Sequence, residues 1–194
     1  MMSVNTSLSL LERLSDRSSE ADWERLHAIY APLLQRWLAR YGVSGSDQDD
    51  LTQDIFHTVF REIPQFRHNG HTGAFRRWLR IMIVNRLKWF WRSRRTHASP
   101  NTDALLASME DPNSDPNVMW ELEHDVHVAK RLLELVEHRF TGTSWEAFRL
   151  QVLQGCRASE TASMLGITVN AALIAKSRVL KALRDEARGM IELE

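Results

Sequence analysis

Apolar residues recur at three- and four-residue steps along most of this chain, which is the spacing of an amphipathic α-helix. Leu8, Leu11 and Leu14 predict a short first helix. A second, longer helix is predicted from a continuous apolar face that comprises Trp23, Leu26, Tyr30, Leu33, Leu34, Trp37, Leu38 and Tyr41. No window alternates between apolar and polar residues as a β-strand does. The pattern therefore predicts an all-α chain.

Capping residues and proline divide the pattern further. Ser46 and Asp49 have the spacing of a capping box at the start of a third helix. Its predicted apolar face consists of Leu51, Ile55, Val59 and Ile63. Pro64 begins a loop, and Thr72 is the predicted N-cap of a fourth helix. The apolar stripe of that helix consists of Phe75, Trp78, Leu79, Met82, Ile83, Leu87 and Phe90.

Proline, serine, asparagine and aspartate concentrate between residues 96 and 117, which predicts a linker. Asp115 and Pro116 at its end suit the start of a helix, because proline is tolerated in the first turn. A chain of 194 residues is long enough for two small domains. The predicted organisation is an all-α protein with helical domains at 1–95 and 118–194, joined by this linker.

The second domain is predicted to begin with a helix whose apolar stripe consists of Leu122, Val126, Ala129, Leu133 and Val136. Thr143 and Glu146 form another candidate capping box. Ser159 is the predicted N-cap of a short helix that ends at Gly166, and Thr168 is the predicted N-cap of the last helix.

Charge is balanced over the whole chain, with 25 basic and 25 acidic residues, but it is locally segregated. Between Arg76 and Arg95 there are eight basic residues and no acidic one. Helical spacing predicts a basic face that comprises Arg76, Arg77, Arg80, Lys88 and Arg92. Such a face favours a phosphate backbone, and Trp91 beside it favours stacking on an unpaired base. A solvated basic face is the alternative.

Acidic residues occupy two other segments. Asp47, Asp50 and Asp54 fall on one side of the third helix, where they either dock a basic partner or simply complement the helix dipole. Seven acidic residues and no basic one lie between Asn101 and Asp125. They either keep this segment in solvent or mimic nucleic acid by holding the basic domain until DNA displaces them.

Residues 161–172 have the layout of a helix-turn-helix. Ala162 is small enough for two helices to approach, and Gly166 can adopt the left-handed conformation of the turn. Ile167 fills the space between the helices. The predicted outward face of the recognition helix comprises Asn170, Ile174, Ser177, Arg178 and Lys181. A helical hairpin with a purely structural role is the alternative.

In this order, the motifs resemble bacterial RNA polymerase sigma factors of the extracytoplasmic-function group. Residues 47–56 are similar to the polymerase-binding helix of region 2, and residues 73–87 to the segment that melts the promoter and reads its −10 element. Residues 165–184 are similar to region 4, which reads the −35 element. The resemblance implies a region 2-like helical bundle followed by a region 4-like helix-turn-helix domain, and a role in transcription initiation rather than an enzyme activity.

The resemblance also implies roles for individual residues. The polymerase-binding set would be Asp47, Asp50, Leu51, Gln53, Asp54 and Phe56. The −10 set would be Arg67, His68, Asn69, Arg76, Arg77, Arg80, Asn85, Lys88 and Trp91. The −35 set would be Thr168, Asn170, Ile174, Ser177, Arg178 and Lys181. The implied partners are core RNA polymerase, promoter DNA as duplex and as melted non-template strand, and, as often in the family, an anti-sigma factor.

Two segments depart from the family pattern. Leu173, Ile174 and Ala175 stand where polar or basic residues are usual, so apolar contact with thymine methyl groups would replace some hydrogen bonds. The run from Lys88 to Trp91 is unusually aromatic.

The sequence predicts no catalytic site, metal site or cofactor. The pairs His68/His71 and His124/His127 lack further ligands nearby, and no glycine-rich phosphate loop is present. A single cysteine, Cys156, cannot form a disulfide framework. No secretory signal or membrane-spanning stretch is predicted, so we expect a cytoplasmic protein without membrane insertion.

Three other functions stay open at this point. The chain could be a repressor or activator that uses the helix-turn-helix alone. It could be a nuclease that binds metal through Asp50 and Asp54. It could also be a protein-interaction module with no role on DNA.

Overall fold

The computed structural model describes residues 10–16, 19–66, 73–94, 108, 114–188 and 190–191. Within these ranges every regular element is helical, as predicted, and no strand is present. The α-helices are α1 (Leu10–Asp16), α2 (Glu20–Arg40), α3 (Ser46–Glu62), α4 (Ala74–Ser93), α5 (Asp115–Glu137), α6 (Gly142–Phe148), α7 (Ala158–Leu165) and α8 (Val169–Ala187). A 3₁₀ turn (Ile63–Gln65) follows α3, and a π-helical turn (Arg149–Leu153) follows α6. None of the helices in the described part of the chain is long and apolar enough to cross a bilayer.

Helices α1 to α4 surround a core built on α2. The predicted apolar face of α2 is buried from Leu26 to Tyr41, and Trp37 is only 1% exposed. Ser19 caps α2 by accepting a hydrogen bond from the backbone N–H of Asp22. Arg13 of α1 donates to the Asp22 carboxylate at 2.9 Å, so the same aspartate ties α1 to the start of α2. The predicted stripes of α3 and α4 close this core, apart from Trp78, which is half-buried.

Helix α5 buries a different face from the one predicted. Leu122 and Val126 were expected in the core, but they are 67% and 64% exposed. Val136 is buried as predicted, and Ala129 and Leu133 pack against the core. The other buried residues are Asn117, Trp120, His124, His127, Val128 and Leu132. The prediction from apolar periodicity was wrong here, because it treats histidine as a polar residue and places it on the exposed face of the helix. In the structure both histidines form hydrogen bonds inside the protein, which removes most of the cost of burying them.

The buried face of α5 packs on α2. The rings of Trp37 and Trp120 meet edge to face with centroids 5.0 Å apart. Tyr30 Oη lies 3.2 Å from His124 Nε2, and His127 Nε2 lies 2.6 Å from the Ile29 carbonyl oxygen. Helix α5 also contacts α8. One helix therefore joins the core around α2 to the C-terminal helices, and the domain limits at 1–95 and 118–194 stay a prediction.

The surroundings of the two histidines favour their neutral forms. Arg36 Nη2 can only donate, so its 3.1 Å contact makes His127 Nδ1 an acceptor, and Nε2–H donates to the Ile29 carbonyl. His124 accepts from Tyr30 and donates to Asp125, with 3.0 Å between its Nδ1 and the carboxylate. Burial lowers the pKa of both histidines below the ordinary value. The Arg36 contact therefore requires a neutral His127, and burial favours the neutral form of His124 as well.

Several helix starts differ from the predicted caps. Thr168 caps α8 as predicted, and Pro116 lies in the first turn of α5. The predicted caps Ser46, Thr143 and Ser159 are wrong, because each lies inside its helix. Gly45, Thr141 and Arg157 hold the N-cap positions instead. Thr72 lies outside the described residues.

Replacing Trp120 by alanine tests the observed face of α5. We expect Trp120→Ala to lower the free energy of unfolding by about 3–5 kcal/mol, because the side chain is fully buried against Trp37. Leu122→Ala, at the exposed position of the same helix, should change it by less than about 0.5 kcal/mol. Urea unfolding followed by circular dichroism measures both. Equal losses for the two variants would contradict the observed orientation of α5.

The neutral histidines predict an acid-sensitive fold. Because the pKa of both is lower in the folded chain, the unfolded chain binds protons first as the pH falls. Their contribution is complete above the ordinary value of 6.5 and is lost below it. Urea midpoints at pH 7.5 and 5.5 should show a fall that His127→Gln reduces and that His138→Gln, at an exposed site, leaves unchanged. A wild-type midpoint independent of pH would contradict this interpretation.

Candidate nucleic-acid interface

Helix α4 carries most of the predicted DNA-binding residues. Gly73 precedes it in the left-handed conformation, with a φ of 76°. The turn favours glycine, and a Cβ atom at this position would lie 2.7 Å from Arg76 Nη2, so this guanidinium would have to shift. The predicted apolar stripe is buried, and Met82 and Phe90 lie at its edge with exposures of 6% and 8%. The turn at Gly73 therefore sets the direction of α4 and the position of its first arginine.

The predicted basic face of α4 is only partly exposed. Arg77 and Arg92 lie in solvent, whereas Arg76 and Arg80 are only 9% and 4% exposed. The expectation that all of them face solvent is therefore wrong for Arg76 and Arg80. For Arg76 the reason is α5, whose Glu121 and Asp125 contact its guanidinium. Helical spacing within α4 gives no information about a neighbour that arrives from beyond a linker.

Arg76 is held by two carboxylates of α5. Its Nη1 lies 2.5 Å from Asp125 Oδ1, and its Nη2 lies 3.1 Å from Glu121 Oε2. The pKa of Asp125 is lowered, because hydrogen bonds from His124 and Arg76 outweigh the effect of burial. Asp125 therefore links the arginine of α4 to the His124–Tyr30 hydrogen bond between α5 and α2.

Arg80 lies one turn further along α4 and is more deeply buried. Burial lowers the pKa of Arg80, and the nearby Glu121 carboxylate partly offsets this effect. Among the described residues, no hydrogen-bond partner is present for its Nη1 atom. A buried guanidinium with unused donors is costly for stability, and such groups are typical of sites that bind an anion.

The aromatic residues at the end of α4 are arranged differently from the prediction. Trp91 was expected to face solvent, but it is half-buried, packs edge to face on Phe90 at 5.1 Å, and lies against Gly42. Trp89 is 61% exposed instead. Both tryptophans flank the stripe at Phe90, and the turn at Gly42 covers only one of them. The exposed indole available for stacking is therefore Trp89.

The remaining −10 residues differ in their surroundings. Asn85 is exposed, and Lys88 is half-buried. Arg67, His68 and Asn69 lie outside the described residues.

Helix α3 presents the predicted polymerase-binding residues on two sides. Asp50 and Gln53 are exposed. Asp54 forms an ion pair with Arg86 at 3.2 Å, and Asp47 forms one with Arg94. These ion pairs fasten α3 to α4, which the sequence analysis did not anticipate.

The other two residues of this set are apolar. Leu51 is 4% exposed and belongs to the core, so its side chain positions α3 and does not face a partner. Phe56 is half-buried, and its ring lies 4.6 Å from the imidazole of His27 on α2.

The sequence analysis missed an apolar groove between α2 and α3. It is lined by Trp23, His27, Phe56 and Phe60, with Glu20, Glu24 and His57 at its rim. Phe60 is 55% exposed, and its ring lies 4.8 Å from that of Trp23. The sequence contained a signal for this groove, because Trp23 and His27 are four residues apart on α2, and Phe56 and Phe60 are four residues apart on α3.

The helix-turn-helix is formed as predicted by α7, the turn at Gly166 and α8. Gly166 has a φ of 65°, and Thr168 Oγ1 accepts a hydrogen bond from the N–H of Ala171 at 3.1 Å. Gln151 donates to the carbonyls of Ala147 and Ala172, at 2.8 and 2.9 Å, and so fixes the start of α8 against α6.

The outward face of α8 is also as expected. The predicted −35 residues are all exposed: Thr168, Asn170, Ile174, Ser177, Arg178 and Lys181. Leu173 beside them is 48% exposed, as is Ile174. The outward face of α8 therefore presents both hydrogen-bonding and apolar side chains.

Removing the N-cap of α8 should lower the free energy of unfolding. We expect Thr168→Ala to lower the free energy of unfolding by about 1 kcal/mol, because one backbone N–H of α8 loses its partner. Thr143→Ala, at an exposed position that the sequence analysis mistook for a cap, should change it by less than about 0.5 kcal/mol. Urea unfolding measures both variants. A loss for Thr143→Ala equal to that for Thr168→Ala would contradict these cap assignments.

The chain is similar to known proteins over most of its length. Residues 26–97 match the Sigma-70 region 2 family. The RNA polymerase sigma factor CarQ of Myxococcus xanthus is 30% identical over 188 residues, which cover 95% of this chain and 98% of the relative. A chain of the solved RsbN–BldN complex is similar over 84% of this chain and 91% of its own length, with 20% identity and a TM-score of 0.27. The match to CarQ includes both the first helices and the helix-turn-helix.

Proposed function

The chain belongs to the RNA polymerase sigma factors, in the extracytoplasmic-function group, and we propose that it binds core RNA polymerase through α3 and opens promoter DNA with α4. As a sigma factor it acts in transcription initiation and is a regulatory DNA-binding subunit, not an enzyme. The proposal adds which surface carries out each step. We expect the chain to lie in the cytoplasm with the polymerase and to have an anti-sigma factor as a further partner.

The polymerase contact is assigned to the exposed side of α3. Asp50 and Gln53 offer hydrogen-bond acceptors and a donor, while Phe56 and Phe60 border the apolar groove next to them. Asp47 and Asp54 stiffen α3 through their ion pairs with α4, so we assign them a positioning role as well. A surface that combines a charged helix with an aromatic groove suits a helical partner.

The strand contact is assigned to the exposed side of α4. Arg77 and Arg92 can bind phosphates, Asn85 can hydrogen-bond a base edge, and Trp89 can stack on an unpaired base. Extruding a base costs a few kcal/mol, which such contacts offset. Arg67, His68 and Asn69 remain part of the proposed −10 site. The domain limits 1–95, 96–117 and 118–194 belong to the same proposal, with α5 as the connecting helix.

The upstream contact is assigned to α8. Asn170, Ser177, Arg178 and Lys181 provide donors and acceptors for base edges and phosphates, and Ile174 suits a thymine methyl group. The observation that supports the whole proposal is that one chain combines two exposed surfaces, one on α4 and one on α8. An exposed strip with arginine and tryptophan suits a separated strand, and an exposed recognition helix suits a duplex.

Transcription in vitro tests the proposal. Core polymerase with this chain should start transcripts at specific sites, which sequencing of the RNA 5′ ends identifies. Arg77→Ala should lower their yield about tenfold, because one charged hydrogen bond contributes about 1.5 kcal/mol. Arg131→Ala is the matched control, since Arg131 pairs with Glu134 within α5.

Other outcomes would contradict the proposal. Tight binding to duplex DNA without polymerase, together with no specific transcript, would indicate a repressor or activator that uses the helix-turn-helix alone. Metal-dependent cleavage of DNA that Asp54→Ala abolishes would indicate a nuclease. Activity unchanged by reversing the charge of Arg77 and Arg92 would indicate a protein-interaction module.

A further inference from the structure

A cavity of about 230 Å³ lies where α1, α2, α5 and α8 meet. It is more enclosed than the groove between α2 and α3. Five aliphatic residues line it: Leu10, Ile29, Leu132, Leu135 and Val136. Leu135 is half-buried, and each of the other four is at most 1% exposed. The polar residues of the lining are Arg25, His138, Arg139 and Glu186.

The aliphatic part of the lining suits an apolar group. Water is held in a cavity where it finds about two to four polar partners, and aliphatic side chains provide none. A hydrocarbon chain would instead gain packing contacts with Ile29 of α2 and with Leu132 and Val136 of α5. Cavities that hold drug-sized ligands measure about 300–1,000 Å³, so this one suits a smaller molecule.

The other part of the lining presents guanidinium groups. Arg25 and Arg139 are both exposed, which places them at the solvent end of the cavity. The carboxylate of Glu186 is occupied on both oxygens, by Arg139 at 2.9 Å and by Arg13 at 3.1 Å. Arg25 makes a looser contact, with 3.6 Å between its Nη1 and Asp22 Oδ1, so most of its N–H groups can still bind an anion.

The end of α5 has a smaller, opposite effect. The C-terminus of a helix carries about half a negative charge, and Val136 and His138 bring the end of α5 to the cavity. The full charges of Arg25 and Arg139 outweigh this partial charge. The solvent end of the cavity therefore favours an anionic group over a cationic one.

We propose that this cavity binds a short aliphatic carboxylate, with its hydrocarbon chain between α2 and α5 and its carboxylate on Arg25 and Arg139. Guanidinium groups bind carboxylates through charge-assisted hydrogen bonds, which fixes the orientation of such a ligand. The lining belongs to α1, α2, α5 and α8, so the bound molecule stabilises the packing of these helices. The inference does not depend on the proposed function, because the cavity includes none of the residues assigned to polymerase or DNA.

Titration of the full chain with sodium octanoate tests the proposal. Amide chemical shifts in NMR spectra locate the site, and we expect saturable changes that centre on Ile29 and on 132–139. Sodium butanoate, which is shorter by four methylene groups, should bind at least about tenfold more weakly, because it buries less apolar surface.

Arg25→Gln tests the contact with the carboxylate. This variant should bind octanoate about tenfold more weakly, because a charge-assisted hydrogen bond is lost, and its affinity for octan-1-ol should not change. Arg61→Gln is the matched control, since Arg61 is also exposed, pairs with its neighbour Glu62 and does not line the cavity. Circular dichroism checks that both variants fold.

Leu135→Phe tests the aliphatic wall. The larger ring occupies part of the cavity, so octanoate should bind at least about tenfold more weakly. Leu122→Phe, at an exposed position of the same helix, should bind octanoate as the wild-type chain does.

Several results would overturn the proposal. Shift changes that do not saturate would do so, as would changes centred on Trp23 and Phe60 in the groove between α2 and α3. Equal affinities for octanoate and butanoate, or no effect of Arg25→Gln, would also contradict it. The titration contains neither polymerase nor DNA, so its failure leaves the proposed function intact, and a failure of transcription leaves the cavity result intact.

Discussion

Trp120 and His127 fix α5 on α2, and this contact determines which surfaces of the chain are free. Trp120 packs edge to face on Trp37, while His127 donates to the carbonyl of Ile29. Once these residues are buried, helical geometry places Glu121 and Asp125 over the start of α4. The same geometry turns Leu122 towards solvent. The contacts of Arg76 with these acids and the exposure of Leu122 follow from that single docking.

Ion pairs between helices determine which charged residues of α3 and α4 stay exposed. Two acids of α3 pair with Arg86 and Arg94 of α4, and two acids of α5 pair with Arg76 at its other end. Opposite charges thus cancel where the helices meet. Among the described residues, Arg77 and Arg92 on the exposed side of α4 form no ion pair, while the exposed Trp89 borders a pocket that also contains Asp47, Asp50 and Asp54. A chain with no net charge can in this way keep a local surface that favours an anionic strand.

Local pattern predicted the parts of the fold that depend on local chemistry. The stripes of α2 and α4 and the turn between Gly166 and Thr168 follow from helical spacing, glycine conformation and capping, and the structure confirms them. The face of α5 did not follow, because it buries histidines whose partners lie on α2. The contact of Arg76 with Glu121 and Asp125 did not follow either, since these acids lie on a helix beyond the linker. The burial of Trp91 did not follow, because the turn at Gly42 covers it and leaves Trp89 exposed.

Hydrogen exchange of the free chain tests most directly whether α5 is part of the core around α2. Backbone amides at 120–128 in α5 should exchange as slowly as those at 29–38 in α2, because both become exposed only when the same core opens. Glu121 and Asp125 would then remain over Arg76 for as long as that core is closed. Exchange at 120–128 faster by about a hundredfold or more, with α2 still protected, would show that α5 detaches freely and would contradict the account.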